Sequence, residues 1–590
     1  MVACTGLFTA CSNEVDEVID NGSDTKADAY LSVSFTMPAG ATTRAASDNP
    51  NGGEKGDGNE EGTTAENAVT DVDMYLFNIA EDGTIGTLGL KRHIEHGEIT
   101  GSQNGNVYTT NPVQVLVGKY AVYIVVNQPE TDIDNINSIA IGASLADFQA
   151  KCYSAAAKTG AYCTGNHFLM TNAFEIGAEK GTGNSSYKEG IADITKENND
   201  ASKAATVTVS VERAAARIDF TVKNADNAYE VKNANGIKIA DVTIKSYKIL
   251  NTRSNAWFLK RVSKAGDTAD LIIGGDEKPD AGTNTNYVVE NKFNIKQTTK
   301  DFFSTVDYTN NYSRRYNTYV SWKKITTTTV KDKQVLAYCM ENTMPQANQV
   351  LGLTTTVLFK AKYTPVADAI TGTLDADGTF YRFKEGTTLY ATIADVLKAK
   401  YNVADGGDVY DAAIKGEFLN LSEEAFEAAQ KADDTLTKEG YVTVAINTAK
   451  QAGLYAENIE KFVNGICYYS FMIRHSNNND PNVSGIMEFA TVRNNIYKLA
   501  INSVSSLGDF TSGTPGPKDP NKPEEGRPDE PDNTDGGNPE IPGVTDTENP
   551  EDPTPIVPVD PSNPDENLKT YLDATINILD WTLRNNGIDL

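Results

Sequence analysis

The chain reads as a mainly β protein, with two tandem β-sandwich domains, a few short helices, a proline-rich linker and a terminal strand. Three observations carry that expectation. Short runs with apolar residues at every second position recur along the sequence, the period of a half-buried strand. The composition, 39% hydrophobic with 27 tyrosines, is that of a globular, strand-rich protein rather than a disordered one. The two ends also carry almost the same strand pattern. One is Tyr30-Leu31-Ser32-Val33-Ser34-Phe35-Thr36-Met37, and the other is Tyr571-Leu572-Asp573-Ala574-Thr575-Ile576-Asn577-Ile578.

In each, one set of alternate side chains is apolar: Leu31, Val33, Phe35 and Met37, against Leu572, Ala574, Ile576 and Ile578. Two interchangeable strands suggest one slot that either could fill, within a molecule or between molecules. At 590 residues the chain has room for two or three domains with their own cores.

Residues 1–11 close on Phe8-Thr9-Ala10-Cys11, a bulky apolar residue, then small residues, then cysteine. That pattern matches a bacterial lipoprotein cleavage site, with Cys11 as the lipidated residue. A basic segment and a full apolar core are missing, so a longer signal peptide is expected upstream of Met1. Residues 12–44 then form a propeptide that includes the first strand. After it, a Gly-, Asn- and Glu-rich run extends to Glu61, an exposed loop by composition. Arg44 is the one arginine before Arg92, which makes the Arg44-Ala45 bond accessible to a trypsin-like protease.

Residues 45–203 are expected to form the first sandwich. Its strands include Val72–Phe77 and two runs within Val113–Asn127 split at Gly118-Lys119; Tyr120–Val126 has the β-branched and aromatic character of a central strand. Ala143–Ala157 has helical spacing through Leu145, Phe148 and Cys152. The polar stretch Gly183–Lys203 reads as a domain junction. Residues 204–507 form the second sandwich, with strands near Val207–Val211, Ile237–Leu250, Val350–Tyr363, Tyr441–Ile446 and Met487–Ile501. Two helical segments, Leu389–Tyr401 and Glu423–Lys438, read as an insertion. Residues 508–569 hold fourteen of the 22 prolines and are a linker that cannot bury a core. It ends in residues 570–590, a lone strand that needs a host sheet.

Charge and motifs exclude several functions. A net charge of −29 argues against nucleic acid or an anionic membrane as partner. Four histidines make a histidine-rich metal centre a poor expectation. His93-Ile94-Glu95-His96 has no matching third ligand, and Asp375-Ala376-Asp377-Gly378 fits a turn better than a calcium loop. There is no P-loop, no G-x-S-x-G and no Ser/His/Asp set, so neither an enzyme nor a cofactor is expected. Cys152, Cys163, Cys339 and Cys467 lack C-x-x-C spacing. Cys467 fits a small core residue, and a Cys152–Cys163 disulfide stays open.

The order of several motifs resembles the FimA/Mfa fimbrillins, major subunits of the type V pili of Bacteroidales. The resemblance rests on the lipobox at Cys11 and on Val211-Glu212-Arg213…Ala216-Arg217. It continues through Gly465…Tyr468-Tyr469 and Val492-Arg493-Asn494-Asn495-Ile496-Tyr497 to Leu507-Gly508. The acidic linker, Trp581 and the Asp589-Leu590 ending look closest to the Mfa, minor-fimbrium subunits. The segment between about Leu374 and Gly465 departs from the family pattern.

The resemblance implies transthyretin-like sandwiches and an outer-membrane lipoprotein precursor that becomes an extracellular fimbrium. An arginine-specific protease would cut after Arg44 and leave Ala45 as the new N-terminus. The first strand would depart, and the C-terminal strand of a neighbouring identical subunit would fill its groove. Head-to-tail filaments would follow, with accessory anchor and tip pilins and an unidentified host or bacterial receptor. The subunit would thus be a structural pilin of the stalk that supports adhesion or colonisation. A monomeric surface adhesin or glycan-binding module, or a tip or anchor subunit, is the alternative.

Overall fold

The structure, a computed structural model, describes residues 29–36, most of 59–290, 312–313, most of 323–401, 427 and 430–437, most of 459–510, 573–576 and 581–589. Cys11, Met37, Arg44, Ala45, Leu572, Ile578, the segment 511–569 and the expected strand Tyr441–Ile446 lie outside the described residues; of the expected helix 423–438, residues 427 and 430–432 are helical, whereas 433–437 hold a turn.

The first sandwich uses β1 (Ala29–Thr36), β3 (Asp71–Ile79), β4 (Ile85–Glu95), β5 (Ile99–Ser102), β6 (Val107–Thr110), β7 (Val113–Val115), β8 (Gly118–Val126), β9 (Met170–Asn172), β10 (Ile191–Ile194) and β11 (Ala205–Arg213). β2 (Asn59–Glu60) lies between β1 and β3 in sequence but pairs elsewhere. One layer runs β4-β3-β8-β9-β11, and β10 also pairs with β8. The other runs β11-β1-β6-β5, with β7 also on β1. β11 belongs to both layers: its first six residues pair with β1 and its last three with β9. A strand that changes sheets in this way makes the corner of a sandwich.

Apolar residues from both layers meet in one core, among them Leu31, Val33, Phe35, Met74, Leu76, Val122, Ile124, Val209 and Val211. The helical expectation for 143–157 is corrected here. Ser144 caps α1 (Leu145–Gln149) by accepting from the Asp147 amide, but the helix stops after five residues. Residues Cys152–Ser154 form a strand against Asn255–Trp257 instead. Buried Tyr153 decides this, packing on Phe258 and donating its hydroxyl to the Ala214 carbonyl at 2.6 Å.

The second sandwich holds β12 (Ala216–Thr221), β13 (Ala228–Lys232), β14 (Lys238–Leu250), β15 (Lys333–Cys339), β16 (Thr356–Pro365), β17 (Ile466–Met472) and β18 (Asn495–Ser503). β19 (Asp573–Ile576) and β20 (Trp581–Asp589) join it from the far end of the chain. Its layers run β15-β12-β18-β20-β2, with β19 on β20, and β13-β14-β16-β17. Ile218, Phe220, Tyr247, Phe359, Tyr469 and Leu499 are in its core, and Cys467 is fully buried there. The insertion is a small sheet with α2 (Ile393–Tyr401); its expected helix start, Leu389–Tyr390, is a strand.

Both sandwiches close by the same device. In each, the first strand lies parallel to a strand from late in the domain: β1 on β11, and β12 on β18. Because β11 is built into the first core, the boundary between the cores falls at Ala214-Ala215, not at 203/204. The polar run before it is surface connection carrying β10.

Candidate functional site

The slot that β1 fills is bonded along both edges. On one side Leu31 to Thr36 pair in parallel with Ala205 to Ser210. On the other, Ala29 to Leu31 pair with Val115 to Val113, and Ser34 to Thr36 with Thr109 to Val107. Residues 111 and 112 interrupt that second edge, and Thr110 bridges the gap. Its hydroxyl accepts from the Val33 amide at 3.0 Å, while its carbonyl accepts from the Ser32 hydroxyl at 2.8 Å.

Ala29, Leu31, Val33 and Phe35 point inward and have no exposed surface. Phe35 stacks on Tyr108 with centroids 5.5 Å apart. The outward residues are looser: Tyr30 and Ser34 are half-buried, and Gln114 donates its amide to the Tyr30 hydroxyl at 2.8 Å. Burying a large apolar side chain contributes roughly 1.5–3 kcal/mol, and each net ladder bond about 1 kcal/mol. The strand is therefore an integral part of the core, joined to the rest of the chain only through residues 37–58.

On the far side of that connection the chain is held by the second domain. Thr63 and Glu66 form a reciprocal pair: the Thr63 amide donates to the Glu66 carboxylate at 2.7 Å, and the Glu66 amide to the Thr63 hydroxyl. Glu66 then accepts from Arg217 Nη1 at 2.9 and 3.0 Å and from the Tyr338 hydroxyl at 2.7 Å. Arg217 also donates to Asp219 and, at 3.0 Å, to Glu60, and Lys498 bonds Glu60 in turn. Burial would raise the Glu66 carboxyl, but the Arg217 and Arg213 guanidiniums hold it below its ordinary range. For Asp219 burial wins, and its carboxyl sits above that range despite Arg217. A buried set of this kind is weak evidence for stability, because desolvation offsets the attraction. It does fix geometry, and it ties β2 beside β20, with Glu60 opposite Trp581 and Asn59 opposite Thr582.

The motif residues from the sequence converge on this same seam between the sandwiches. Arg213 donates to Asn494 at 3.2 Å, to the Glu66 carbonyl at 3.0 Å and to Asn67. The Asn494 amide donates to the Ala215 carbonyl at 2.7 Å. Arg493 makes a two-bond pair with Glu341 and caps the carbonyls of Trp257 and Phe258, and both charged side chains are fully buried. Gly465 has φ +73°, and a Cβ there would lie 2.6 Å from the Tyr363 carbonyl oxygen. A Cβ on Gly508 would lie 2.4 Å from the Tyr468 carbonyl oxygen.

The expected site residues are thus only partly visible. Leu31, Val33 and Phe35 fill the slot from β1. Ala574 and Ile576 belong to β19, which pairs with β20, itself parallel to β18 of its own second sandwich. The sequence reading missed Thr110, Glu60 and Glu66; for Glu66 the Thr63-x-x-Glu66 spacing, a capping-box signature, was the available signal. Elsewhere, His93 Nδ1 meets Asp73 at 2.9 Å and His96 Nδ1 meets the Val69 carbonyl at 2.9 Å, so the two rings serve separate partners. The residues 375–378 close a turn, with the Gly378 amide donating to the Asp375 carbonyl at 2.9 Å. Cys152 and Cys163 are not joined by a disulfide.

Two family models match the chain. The one described as major fimbrial subunit protein (FimA) covers residues 29–213. The one described as the C-terminal part of the type IV major fimbrial subunit protein, fimbrillin, covers 460–587. Together they take in just over half of the sequence. No curated protein matches it.

Among solved structures, the tip fimbrial protein Mfa3 of Porphyromonas gingivalis is 11% identical with a TM-score of 0.26, covering 59% of this chain and 84% of that one. A fimbrial assembly protein of Parabacteroides distasonis is 10% identical with a TM-score of 0.24, covering 57% and 96%. The first family match begins at the first residue of β1 and ends at the last residue of β11, the two strands that form the slot's parallel edge. The chain belongs to the family of FimA-type fimbrillins, the major fimbrial subunit proteins.

Proposed function

We propose that this fimbrial subunit polymerises by protease-triggered strand exchange. The observation that supports it is β1 itself: a strand bonded on both edges, buried on its inward face, and attached through a connection that contains Arg44. Cutting after Arg44 leaves β1 held by non-covalent contacts alone, and its departure opens an apolar groove flanked by two unpaired edges. Residues 570–590 of a neighbouring subunit, carried on the proline-rich tether, fill it. Donation at one end and acceptance at the other make the contact head-to-tail and open-ended, so a filament grows. Before cleavage Cys11 carries the lipid that holds the precursor at the outer membrane. Anchor and tip subunits cap the fibre, which serves adhesion.

A second reading is favoured by one observation, the docking of β20 on β18 of its own domain. In that reading the protein stays a monomeric surface adhesin. Size-exclusion separates the two: protein beginning at Ala45 assembles, while protein beginning at Ser12 does not. Arg44→Ala leaves a monomer with no fibres. Fibres of normal length from Arg44→Ala would exclude Arg44 as the cut site, and a monomeric Ala45 protein would exclude exchange.

A further inference from the structure

The groove contains a device that reads the register of whatever strand lies in it, and we infer that it selects a register other than the one the two sequences suggest. The inference rests on the strand-exchange reading. Aligning Tyr571-Leu572 on Tyr30-Leu31 puts Asp573 in the place of Ser32. That place is closed, with Ser32 only 8% exposed, and its hydroxyl donates to the Thr110 carbonyl. An ionised aspartate has no proton to donate and would bring its charge against that carbonyl oxygen.

Sliding the incoming strand by two residues keeps every side chain on its own face and removes the conflict. Thr575 then takes the place of Ser32 and supplies the hydroxyl donor. Asp573 moves to the half-buried place of Tyr30, where the Gln114 amide, which donates to the Tyr30 hydroxyl at 2.8 Å, can donate to the carboxylate. The inward places of Ala29, Leu31, Val33 and Phe35 receive Leu572, Ala574, Ile576 and Ile578. Leucine and alanine trade neighbouring positions while their combined volume is conserved, the tolerated kind of core change. Losing a buried hydrogen bond and burying a charge is the larger penalty. Thr110 is therefore the specificity-determining residue of the acceptor groove, and Thr575 is its counterpart on the donor.

Cross-linking reads the register directly. Thr109 lies opposite Ser34, with the two hydroxyl oxygens 3.5 Å apart, so the Ser34→Cys, Thr109→Cys double variant of the uncut chain calibrates the disulfide. In the inferred register Asn577 comes opposite Thr109; in the Tyr-Leu alignment Thr575 does. Processed Thr109→Cys subunits are mixed with processed Asn577→Cys or Thr575→Cys subunits under mild oxidation. The expected result is at least tenfold more intersubunit disulfide with Asn577→Cys. Preference for Thr575→Cys, or fibres that form without either disulfide, overturns the register. Absence of any assembly in the unsubstituted processed protein overturns the exchange reading as well, and the two failures are told apart by whether fibres are present.

Discussion

Phe35 lies face to face on Tyr108, their planes 12° apart, and the Tyr108 hydroxyl donates to the Asn67 carbonyl at 3.0 Å. The first strand is thereby connected through one ring to Asn67, which meets Arg213 at the seam between the domains. Phe35→Ala in the uncut chain should cost about 3–5 kcal/mol, as for other buried phenylalanines. Denaturant unfolding of the N-terminal sandwich measures it. A loss below about 1 kcal/mol would mean that β1 is not part of that core.

Glu60 bonds Arg217 and Lys498 across the seam while its backbone flanks β20. Removing it in Glu60→Ala takes away charge-assisted bonds, each worth about 1.5–3 kcal/mol. Amide exchange across Trp581–Asp589 should quicken by about tenfold or more. Unchanged protection there would show that Glu60 does not restrain the C-terminal strand.

Arg493 and Glu341 are both fully buried. Arg493→Ala should destabilise the protein by about 3–5 kcal/mol, since it strands Glu341 and two carbonyls. Arg493→Met combined with Glu341→Leu should recover part of that loss, because no charge is left unpaired. Recovery stays incomplete, as the Trp257 and Phe258 carbonyls still lack their donor. Thermal unfolding of the single and double variants tests the order.

Gly465 cannot accept a side chain without moving Tyr363. Its positive φ adds strain to the 2.6 Å approach, so Gly465→Ala should cost at least about 1–3 kcal/mol. The measurement is unfolding of the C-terminal sandwich.

The hydrogen bond that His93 donates to the Asp73 carboxylate holds the ring protonated above the usual histidine range, against the opposing effect of burial. The folded value is raised, so the contribution to stability is fully present below the unfolded value near 6.5 and is lost as pH rises through the folded value. The His93 ring signals in NMR should titrate above 6.5, and Asp73→Asn should move the midpoint down. An unmoved midpoint would assign the shift to another neighbour.

The β1 alternation was legible because it is local: each inward side chain is set by its neighbours two residues away, and Leu31, Val33 and Phe35 lie where the period requires. Tyr120–Val126 was legible for the same reason. The 143–157 spacing misled because Cys152 and Tyr153 answer to Asn255–Trp257 and Ala214, far away in sequence. The boundary at 203/204 was misplaced by composition, which registers an exposed connection but not that the next strand is shared by both sheets. Arg213, Arg217 and Arg493 stood out as motif residues, yet their partners Glu66, Asn494 and Glu341 are set by tertiary packing. No local period could supply those pairings.

The direction of β1 has a mechanical meaning. A donor lying as β1 does, parallel to β11, is pulled at its N-terminal end by the tether of its own subunit. The acceptor takes the load at the opposite end of β11, through Ala214-Ala215 into β12 of the second sandwich. In the proposed fibre, tension would therefore slide the donor and β11 past each other in shear and load that parallel ladder at once. Peeling, which breaks bonds one after another, would need the donor and β11 to lie antiparallel.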